Sequence, residues 1–467
     1  MSSGKHIAIL GAGPGGYVAA IRAAQLGAQV SLIENQELGG VCLNWGCIPS
    51  KALLSVVELG AKINKAQDIG IQVNGPVSFD TVQMVKRKNQ VVTNLVKGIG
   101  MLLKGNGVRY LQGTGRLVDE RSVHVALSDG SETTVQADAI ILGTGSSWPN
   151  LPLFPVDGTS IITSKDALEI PRVPDHLLIV GGGVEGCEFA SLYRGLGSKV
   201  SVVEMMPTIL PEEDEEISAM MTREFKKQQI HMYVGTKVEG CQKSGTQVNV
   251  KLCSGEDMHV DTVLVSIGRR FNTQGIGLEM VGVQLGAGGE IEVNDRMETN
   301  IPGIYAIGDV VGKAMLAHVA SAQGKVAVEN ILGRDLSVNY EVIPAGIFTL
   351  PEIGRVGLTE QQARERGMQA KVGRFRYSGL GKAQGTGDIT GMFKVIADAE
   401  TGRLLGTHII GAHAADLVHE AALAMEVGVS IEKLASMIHA HPTLSEGLME
   451  AAEDVEGQAI HQAKKRT

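Results

Sequence analysis

The chain has 467 residues, a formal net charge of −9 and a hydrophobic share of 43%, and this length suggests about three domains. Charges of both signs are mixed along it, which argues against nucleic acid as a partner because phosphate backbones require a concentrated basic surface. Five cysteines are too few for a secreted, disulfide-stapled scaffold, and neither a signal peptide nor a membrane-spanning apolar run is evident, so we expect a cytoplasmic protein without a membrane partner.

The first predicted elements form a strand, a glycine-rich turn and a helix. The strand 6–10 ends at Gly11, an alanine-rich helix follows Gly16, and a second strand ends at Glu34. This order is typical of a dinucleotide-binding βαβ unit: Gly11 makes the tight turn, Gly13 lets the backbone approach a pyrophosphate and Gly16 permits close helix packing. Glu34 is placed to bind a ribose hydroxyl. One such match is weak evidence when it stands alone.

Two cysteines with four residues between them, Cys42 and Cys47, precede a helical pattern at 50–63. Cys47 would lie near a helix N-terminus, where the partial positive charge lowers the pKa of a thiol. We therefore interpret the two cysteines as a redox disulfide. Two buried small residues, or half of a zinc site, are alternatives, although Cys187, Cys241 and Cys253 do not supply the second spaced pair that zinc requires.

The dinucleotide pattern recurs in the second part of the chain. A strand at 177–180 leads to Gly181, Gly183 and Gly186, and the next strand ends at Glu204. Glu204 lies 23 residues after Gly181, and Glu34 lies 23 residues after Gly11. Two fingerprints in full strand, turn and helix context predict two nucleotide sites.

The remaining segments divide the chain further. A helical stretch at 78–104 follows the first unit, and similar strand-like elements at 137–145 and 261–269 suggest a duplicated module. Prolines at 149, 152 and 155 indicate a linker between the modules. From about residue 342, strands at 393–397 and 404–410 and a helix at 414–428 predict an α+β third domain. The acidic stretch 212–216 is interpreted as a solvated first helical turn without function.

Two further segments contain candidate polar residues. Asp309 follows a short predicted strand, where it could simply cap a helix. Near the C-terminus, Pro442 should hold His441 in an extended conformation outside the last helix, and Thr443 with Glu446 forms a capping-box pattern. An isolated histidine is more often structural, but a disulfide-exchanging enzyme needs a base near neutral pH and a carboxylate that orients it.

Taken in chain order, the motif from Cys42 to Lys51, the two fingerprints, the Gly308-Asp309 element and the terminal 441–446 segment resemble the pyridine nucleotide-disulfide oxidoreductases. The resemblance spans essentially the whole chain. It implies an α/β fold with two Rossmann-like FAD- and NAD(P)-binding domains of the three-layer ββα type and a C-terminal α+β dimerisation domain. The implied domains are 1–147 (FAD, first part), 148–272 (NAD), 273–341 (central part of the FAD domain) and 342–467 (dimerisation).

The resemblance also implies which residues form the sites, and it implies no metal site. FAD would be bound by Gly11, Gly13, Gly16, Glu34, Lys51, Gly115, Asp309, Met315, Leu316, Ala317 and His318. NAD would be bound by Gly181, Gly183, Gly186, Glu188, Glu204 and Gly268. The implied catalytic residues are Cys42 towards the substrate, Cys47 and Lys51 towards the flavin, and His441 of the second subunit of a homodimer, oriented by Glu446.

Within this family the implied reaction is oxidation of a dihydrolipoyl group, with NAD⁺ as the final acceptor. The chain enters the first fingerprint almost at once, so we expect lipoyl-bearing acyltransferase or H-protein subunits of a multienzyme complex to bring that group. A glutathione reductase is the alternative, but Glu204 without a following arginine disfavours its NADPH. A second alternative is an inactive flavoprotein that serves as a scaffold subunit. The intact set of catalytic residues argues against it.

Glu185 departs from the family pattern, in which an aliphatic residue usually occupies this fingerprint position. A charge there would alter nicotinamide entry or the contact between helix and strand, unless the side chain points to solvent. From the sequence we expect Glu185→Ile to leave the FAD content unchanged and to raise NAD affinity or turnover.

Overall fold

The protein is described by a computed structural model that covers residues 4–463. The first part of the chain forms β1 (His6–Leu10), α1 (Pro14–Gln25), β2 (Gln29–Glu34), α2 (Gly40–Trp45), α3 (Cys47–Asn64), α4 (Thr81–Gly105), β3 (Arg109–Asp119), β4 (Ser122–Leu127), β5 (Glu132–Gln136), β6 (Ala139–Leu142) and β7 (Ser146–Ser147). The second part forms β8 (Ile161–Ile162), α5 (Ser164–Ala167), β9 (His176–Val180), α6 (Val184–Gly195), β10 (Lys199–Glu204), α7 (Glu215–Lys227), β11 (Ile230–Val234), β12 (Val238–Ser244), β13 (Gln247–Leu252), β14 (Asp257–Val260), β15 (Thr262–Val265), β16 (Arg270–Phe271) and α8 (Leu278–Val281).

The rest of the chain begins with β17 (Ile304–Ala306) and α9 (Ala317–Ile331). It ends with β18 (Ala345–Ile347), β19 (Ile353–Gly357), α10 (Glu360–Glu365), β20 (Ala370–Arg376), α11 (Gly381–Thr386), β21 (Met392–Asp398), β22 (Leu404–Ile410), α12 (Ala414–Glu426), α13 (Ile431–Ala435) and α14 (Glu446–Asp454). Short 3-10 helices lie at Ala66–Ile69, Gly308–Val311 and Tyr377–Gly379.

The first module is built on a seven-stranded sheet with the order β17-β6-β1-β2-β3-β4-β5. Its strands β17, β6, β1, β2 and the start of β3 run parallel, whereas the rest of β3 pairs antiparallel with β4, and β4 with β5. Ile7, Ile9, Leu32 and Ile141 are fully buried in it, as expected for parallel strands covered on both faces. Because β17 returns to this sheet after the second module, Gly308 and Asp309 lie beside the first fingerprint.

The second module repeats this design. Its parallel sheet has the order β11-β10-β9-β15-β8, and β12-β13-β14 form a separate antiparallel sheet. In the first module the His6 ring contacts the Ser31 hydroxyl at 2.9 Å, and in the second the His176 ring contacts the Ser201 hydroxyl at 3.0 Å. These matched contacts at the same strand positions support the predicted duplication.

The last domain contains an antiparallel sheet with the order β18-β19-β22-β21-β20. Helices α12 and α14 pack against this sheet, and Phe393, Val395, Ile409 and Ala451 are fully buried in its core. The strands predicted at 393–397 and 404–410 are confirmed as β21 and β22. The predicted fold class, two nucleotide-binding α/β modules with an α+β domain, is therefore confirmed.

The prediction that the acidic stretch 212–216 is solvated is wrong for Glu213, Asp214 and Glu216, which are buried or partly buried, whereas Glu212 and Glu215 are exposed. The Lys394 side chain on β21 is only 1% exposed, and its ammonium group lies 2.8 Å from the carboxylates of Asp214, Glu216 and Glu360. Arg374 also pairs with Glu216 and Glu360. The predicted helical turn is present only from Glu215, where α7 begins with Asp214 as its N-cap. We call Asp214, Glu216, Glu360, Arg374 and Lys394 the ion cluster; it joins the second module to the last domain.

One helical stretch among residues 4–463, Gly40–Asn64, is long and apolar enough by length and composition to cross a membrane. Core helices of soluble proteins meet the same criterion. Here the stretch comprises two helices that meet at Gly46, and α3 packs against α4 and α6 within the fold.

Candidate active site

The glycine-rich turns have the shape that a pyrophosphate requires. A Cβ atom on Gly16 would clash with the carbonyl oxygen of Gly11, so only glycine at this position lets α1 approach β1 closely. A Cβ atom on Gly13 would meet no protein atom within 4 Å, which leaves its backbone open to a ligand. In the second module, a Cβ atom on Gly186 would clash with the carbonyl oxygen of Gly181, whereas one on Gly183 would meet no protein atom within 4 Å. Both turns therefore fit dinucleotides at helix N-termini.

The acidic residues at the ends of β2 and β10 are held in the same way. Glu34 accepts hydrogen bonds of 2.7 Å from the backbone N–H groups of Ala12 and Gln36. Glu204 accepts bonds of the same length from Gly182 and Met206. Each carboxylate is thereby fixed beside its glycine-rich turn, where a nucleotide ribose would lie.

One large cavity of about 2020 Å³ runs along the first module towards the second module and the last domain. Its lining includes Cys42, Cys47 and all the residues predicted to bind FAD, namely Gly11, Gly13, Gly16, Glu34, Lys51, Gly115, Asp309, Met315, Leu316, Ala317 and His318. Of the residues predicted to bind NAD it includes Glu188, whereas Gly181, Gly183, Gly186, Glu204 and Gly268 are not in the lining. The structure thus brings the disulfide and the predicted FAD residues together.

Cys42 and Cys47 form a disulfide, with their Cα atoms 4.8 Å apart. Cys42 lies in α2, and Cys47 is the first residue of α3 after the break at Gly46. Cys47 therefore lies at the N-terminus of an 18-residue helix, whose partial positive charge would stabilise a thiolate there. Both cysteines are half-buried in the cavity wall.

Lys51 lies four residues after Cys47 and is paired with Glu188 of the second module. The Lys51 ammonium donates to the two carboxylate oxygens of Glu188 at 2.9 and 2.7 Å, and Glu188 also accepts from the Phe348 backbone at 2.9 Å. One buried carboxylate thus connects α3, α6 and the last domain. The sequence did not predict this pair, because its members are 137 residues apart.

Asp309 does not cap the 3-10 helix that contains it. Instead its carboxylate accepts a hydrogen bond from the Ser146 hydroxyl. Arg269 in turn donates to the Ser146 hydroxyl and carbonyl at 2.7 and 2.8 Å, with its guanidinium over the Trp148 ring. Burial lowers the pKa of Arg269, against the opposing effect of Asp309 and Glu185. Sequence reasoning missed Ser146, Trp148 and Arg269, which no motif identified.

His441 and Glu446 form a hydrogen-bonded pair. The Nδ1 atom of His441 lies 2.8 Å from Glu446, whose second oxygen accepts from the Thr443 backbone at 2.8 Å. Burial opposes ionisation of Glu446, but the Thr443 N–H and His441 outweigh it and lower the pKa of this carboxyl. Only the glutamate half of the predicted capping box is present, since the Thr443 hydroxyl donates to Ala440.

The His441 side chain is 74% exposed and does not line the cavity that contains the disulfide. With Nδ1 directed at Glu446, its Nε2 atom remains available on the outside of the last domain. A single chain therefore presents the disulfide and the histidine on separate surfaces.

A disulfide at a helix N-terminus, beside two dinucleotide-binding folds, defines a nucleotide-dependent disulfide oxidoreductase. The chain belongs to the pyridine nucleotide-disulphide oxidoreductase family, whose model matches residues 5–324. The dimerisation domain of the same family matches residues 343–452. Members of this family use FAD and NAD, and the open turns and fixed carboxylates described above fit these cofactors.

Curated relatives support the same assignment. The chain is 42% identical over 459 residues to a dihydrolipoyl dehydrogenase of Thermus scotoductus, covering 97% of this chain and 98% of the relative. It is 43% identical over 465 residues to a dihydrolipoamide dehydrogenase of Chaetomium thermophilum, covering 98% and 92%. Among solved structures, LpdA of Mycobacterium tuberculosis superposes with a TM-score of 0.92 at 29% identity, covering 97% and 99%.

Proposed function

We propose that the protein oxidises protein-bound dihydrolipoamide to lipoamide and passes the electrons through FAD to NAD⁺. The observation that carries this proposal is the Cys42–Cys47 disulfide at the N-terminus of α3, in the wall of the cavity lined by the FAD residues. The full-length relatives named dihydrolipoyl dehydrogenase support the choice of substrate.

The first half of the reaction is thiol–disulfide exchange. Nε2 of His441 from the second subunit takes a proton from one substrate thiol, and the resulting thiolate attacks the Cys42 sulfur. The Cys42–Cys47 bond breaks, and its electron pair leaves with Cys47 as a thiolate. The second substrate thiol then attacks the substrate sulfur of the mixed disulfide, and its proton ends on Cys42. The substrate leaves as a cyclic disulfide, having given up two electrons.

The protein's own residues support this exchange in three ways. The α3 N-terminus stabilises the Cys47 thiolate. Glu446 holds the imidazole of His441 and stabilises its protonated form. Glu188 fixes the ammonium group of Lys51, which lies one helical turn after Cys47. When bound, FAD would accept the two electrons from the reduced cysteine pair and pass them to NAD⁺ as a hydride.

The preference for NAD over NADP rests on Glu204. Its carboxylate can accept hydrogen bonds from ribose hydroxyls but repels a 2′-phosphate. The next two residues, Met205 and Met206, are uncharged and exposed, so they offer no positive charge to a phosphate. This chemistry argues against the glutathione reductase alternative and its NADPH.

The proposed enzyme is a homodimer that works in the cytoplasm. We assign residues 1–147 and 273–341 to the FAD domain, 148–272 to the NAD domain and 342–467 to dimerisation. Its partners would be lipoyl-bearing acyltransferase or H-protein subunits, because the dithiol must reach a disulfide recessed in the cavity wall. A lipoyl group on a flexible arm meets that requirement.

The experiment is an assay of the FAD-loaded protein with free dihydrolipoamide and NAD⁺, beside glutathione disulfide with NADPH. We expect NADH formation in the first reaction and background rates in the second. Anaerobic treatment with dihydrolipoamide, followed by alkylation and peptide mass spectrometry, should label Cys42 and Cys47 as a newly reduced pair. Faster reduction of glutathione disulfide, or labelling of neither cysteine, would overturn the proposal.

A further inference from the structure

Glu185 lies in the first turn of α6 and is not directed freely into solvent. Its carboxylate accepts a 2.8 Å hydrogen bond from the hydroxyl of Ser266, and it lines the large cavity. We infer that Glu185 makes the enzyme prefer the positively charged nicotinamide of NAD⁺ over the neutral ring of NADH. This inference rests on the proposed function, in which NAD⁺ is the electron acceptor.

The strand order in the second module indicates where the nicotinamide half of a bound dinucleotide would lie. Dinucleotides bind across the carboxyl ends of parallel strands where the strand order reverses. In the order β11-β10-β9-β15-β8 that point lies between β9 and β15. Glu204 ends β10 and is placed for the adenosine ribose, so the nicotinamide half of a bound dinucleotide would extend over β15. Ser266 is the first residue after β15, and it is the residue that holds Glu185.

The orientation of α6 gives a second argument for this placement. Glu185 and Glu188 are three residues apart, so they project from the same face of the helix. Glu188 binds the Lys51 ammonium, and Lys51 lies one helical turn after Cys47. The face of α6 that carries Glu185 is therefore directed towards α3, the helix that begins with Cys47.

Glu185 interacts electrostatically with Arg269, but the two side chains do not form an ion pair. Within residues 4–463 its hydrogen-bond partner is a neutral hydroxyl, and it has no ion-pair partner. Arg269 is the nearby cation, but its Nε and Nη2 atoms are bound to Ser146 and its guanidinium stacks on Trp148. The carboxylate is thus available to a positively charged ring in the cavity.

This arrangement discriminates between the two forms of the nucleotide. A carboxylate in the cavity wall would attract the cationic nicotinamide and gain nothing from the neutral one, and an effect of about fivefold in relative affinity is expected at a partly solvated site. NAD⁺ would consequently compete better with NADH for the site, which weakens product inhibition. Glu185→Ile should therefore weaken NAD⁺ binding, the reverse of the expectation from sequence.

The test is isothermal titration calorimetry of the oxidised FAD-loaded dimer with NAD⁺ and with tetrahydro-NAD, a neutral analogue that cannot transfer hydride. In Glu185→Gln, which keeps the shape and removes the charge, we expect the ratio of the two affinities to shift towards the neutral analogue by about fivefold. Glu185→Asp, which keeps the charge, should retain most of the wild-type ratio. Glu215→Gln, an exposed first-turn residue of α7, is the matched control and should change nothing.

The outcomes separate this inference from the proposed function. An unchanged affinity ratio in Glu185→Gln, with NAD⁺ still bound, would overturn the role of Glu185 alone. Failure of the wild-type dimer to bind NAD⁺ would overturn the proposed function as well. If Glu185→Gln does not load FAD, Ser266→Ala provides the second variant: without the hydroxyl the carboxylate is no longer held at the cavity wall, so the same ratio should move in the same direction by a smaller amount.

Discussion

Hybrid dimers offer the sharpest test of how the active site is assembled. The disulfide lies in the cavity wall, whereas His441 is exposed on the last domain and outside that cavity. Each site should therefore combine Cys42 and Cys47 of one subunit with His441 of the other. Cys42→Ser and His441→Gln homodimers are both expected to be inactive, the latter slowed by about 10²–10⁴-fold through loss of the base.

A hybrid of these two variants has a predictable activity. In a symmetric dimer one of its two sites receives both defects, and the other receives neither. The hybrid should therefore show about half of the wild-type activity. A double variant, Cys42→Ser with His441→Gln, paired with a wild-type subunit should instead be inactive, because each site receives one defect.

The assay is NADH formation from dihydrolipoamide and NAD⁺ by hybrids purified through a different affinity tag on each subunit. A hybrid of Cys42→Ser with wild type retains one intact site and serves as the control for the tags. If each site belonged to a single chain, the two results would be exchanged: the first hybrid would be inactive and the double-variant hybrid half active. That exchange would refute the reasoning from the separate surfaces.

Three further predictions concern single residues. Glu188→Gln should lower the free energy of unfolding of the FAD-loaded protein by about 1–3 kcal/mol, measured by chemical denaturation, since Lys51 loses a charged partner. Glu204→Ser should raise the KM for NAD⁺ by about tenfold or more and reduce discrimination against NADP⁺, measured in steady state. Arg374 lowers the pKa of Glu216 to about 2, so its ionised form stabilises the fold at neutral pH, and the stability difference from Glu216→Gln should shrink as the pH falls from the usual glutamate range towards that value.

The elements that local sequence determines could be predicted well. The turns at Gly11 and Gly181 are built from neighbouring residues, and their strands and helices follow from apolar periodicity. The position of Cys47 at a helix N-terminus is likewise local, because Gly46 interrupts one helix and the next begins at once. For such features the physical cause lies within a few residues, where a sequence pattern can reveal it.

Contacts between distant segments could not be predicted in this way. The acidic stretch 212–216 has the composition of an exposed helical turn, but Lys394, which is 180 residues away, buries Asp214. The resemblance implies that Glu188 binds NAD, but it does not reveal that the Glu188 carboxylate pairs with Lys51, 137 residues away. Neither the hydrophobic periodicity of a sequence nor the spacing of its motifs indicates which side chains are in contact across a domain boundary.

The ion cluster gives these distant contacts a role in the proposed chemistry. Lys394 and Arg374 belong to the domain that presents His441, and Asp214 and Glu216 belong to the module that supplies Glu188 to Lys51. Removing one partner of a buried charge cluster leaves other charges uncompensated, so the cluster resists sliding of one domain past the other. Within each chain the cluster thereby fixes the position of the last domain, which carries His441, relative to the second module, which contacts the disulfide-bearing helix through Glu188. In a symmetric dimer these positions determine where each His441 would meet the disulfide of the other subunit.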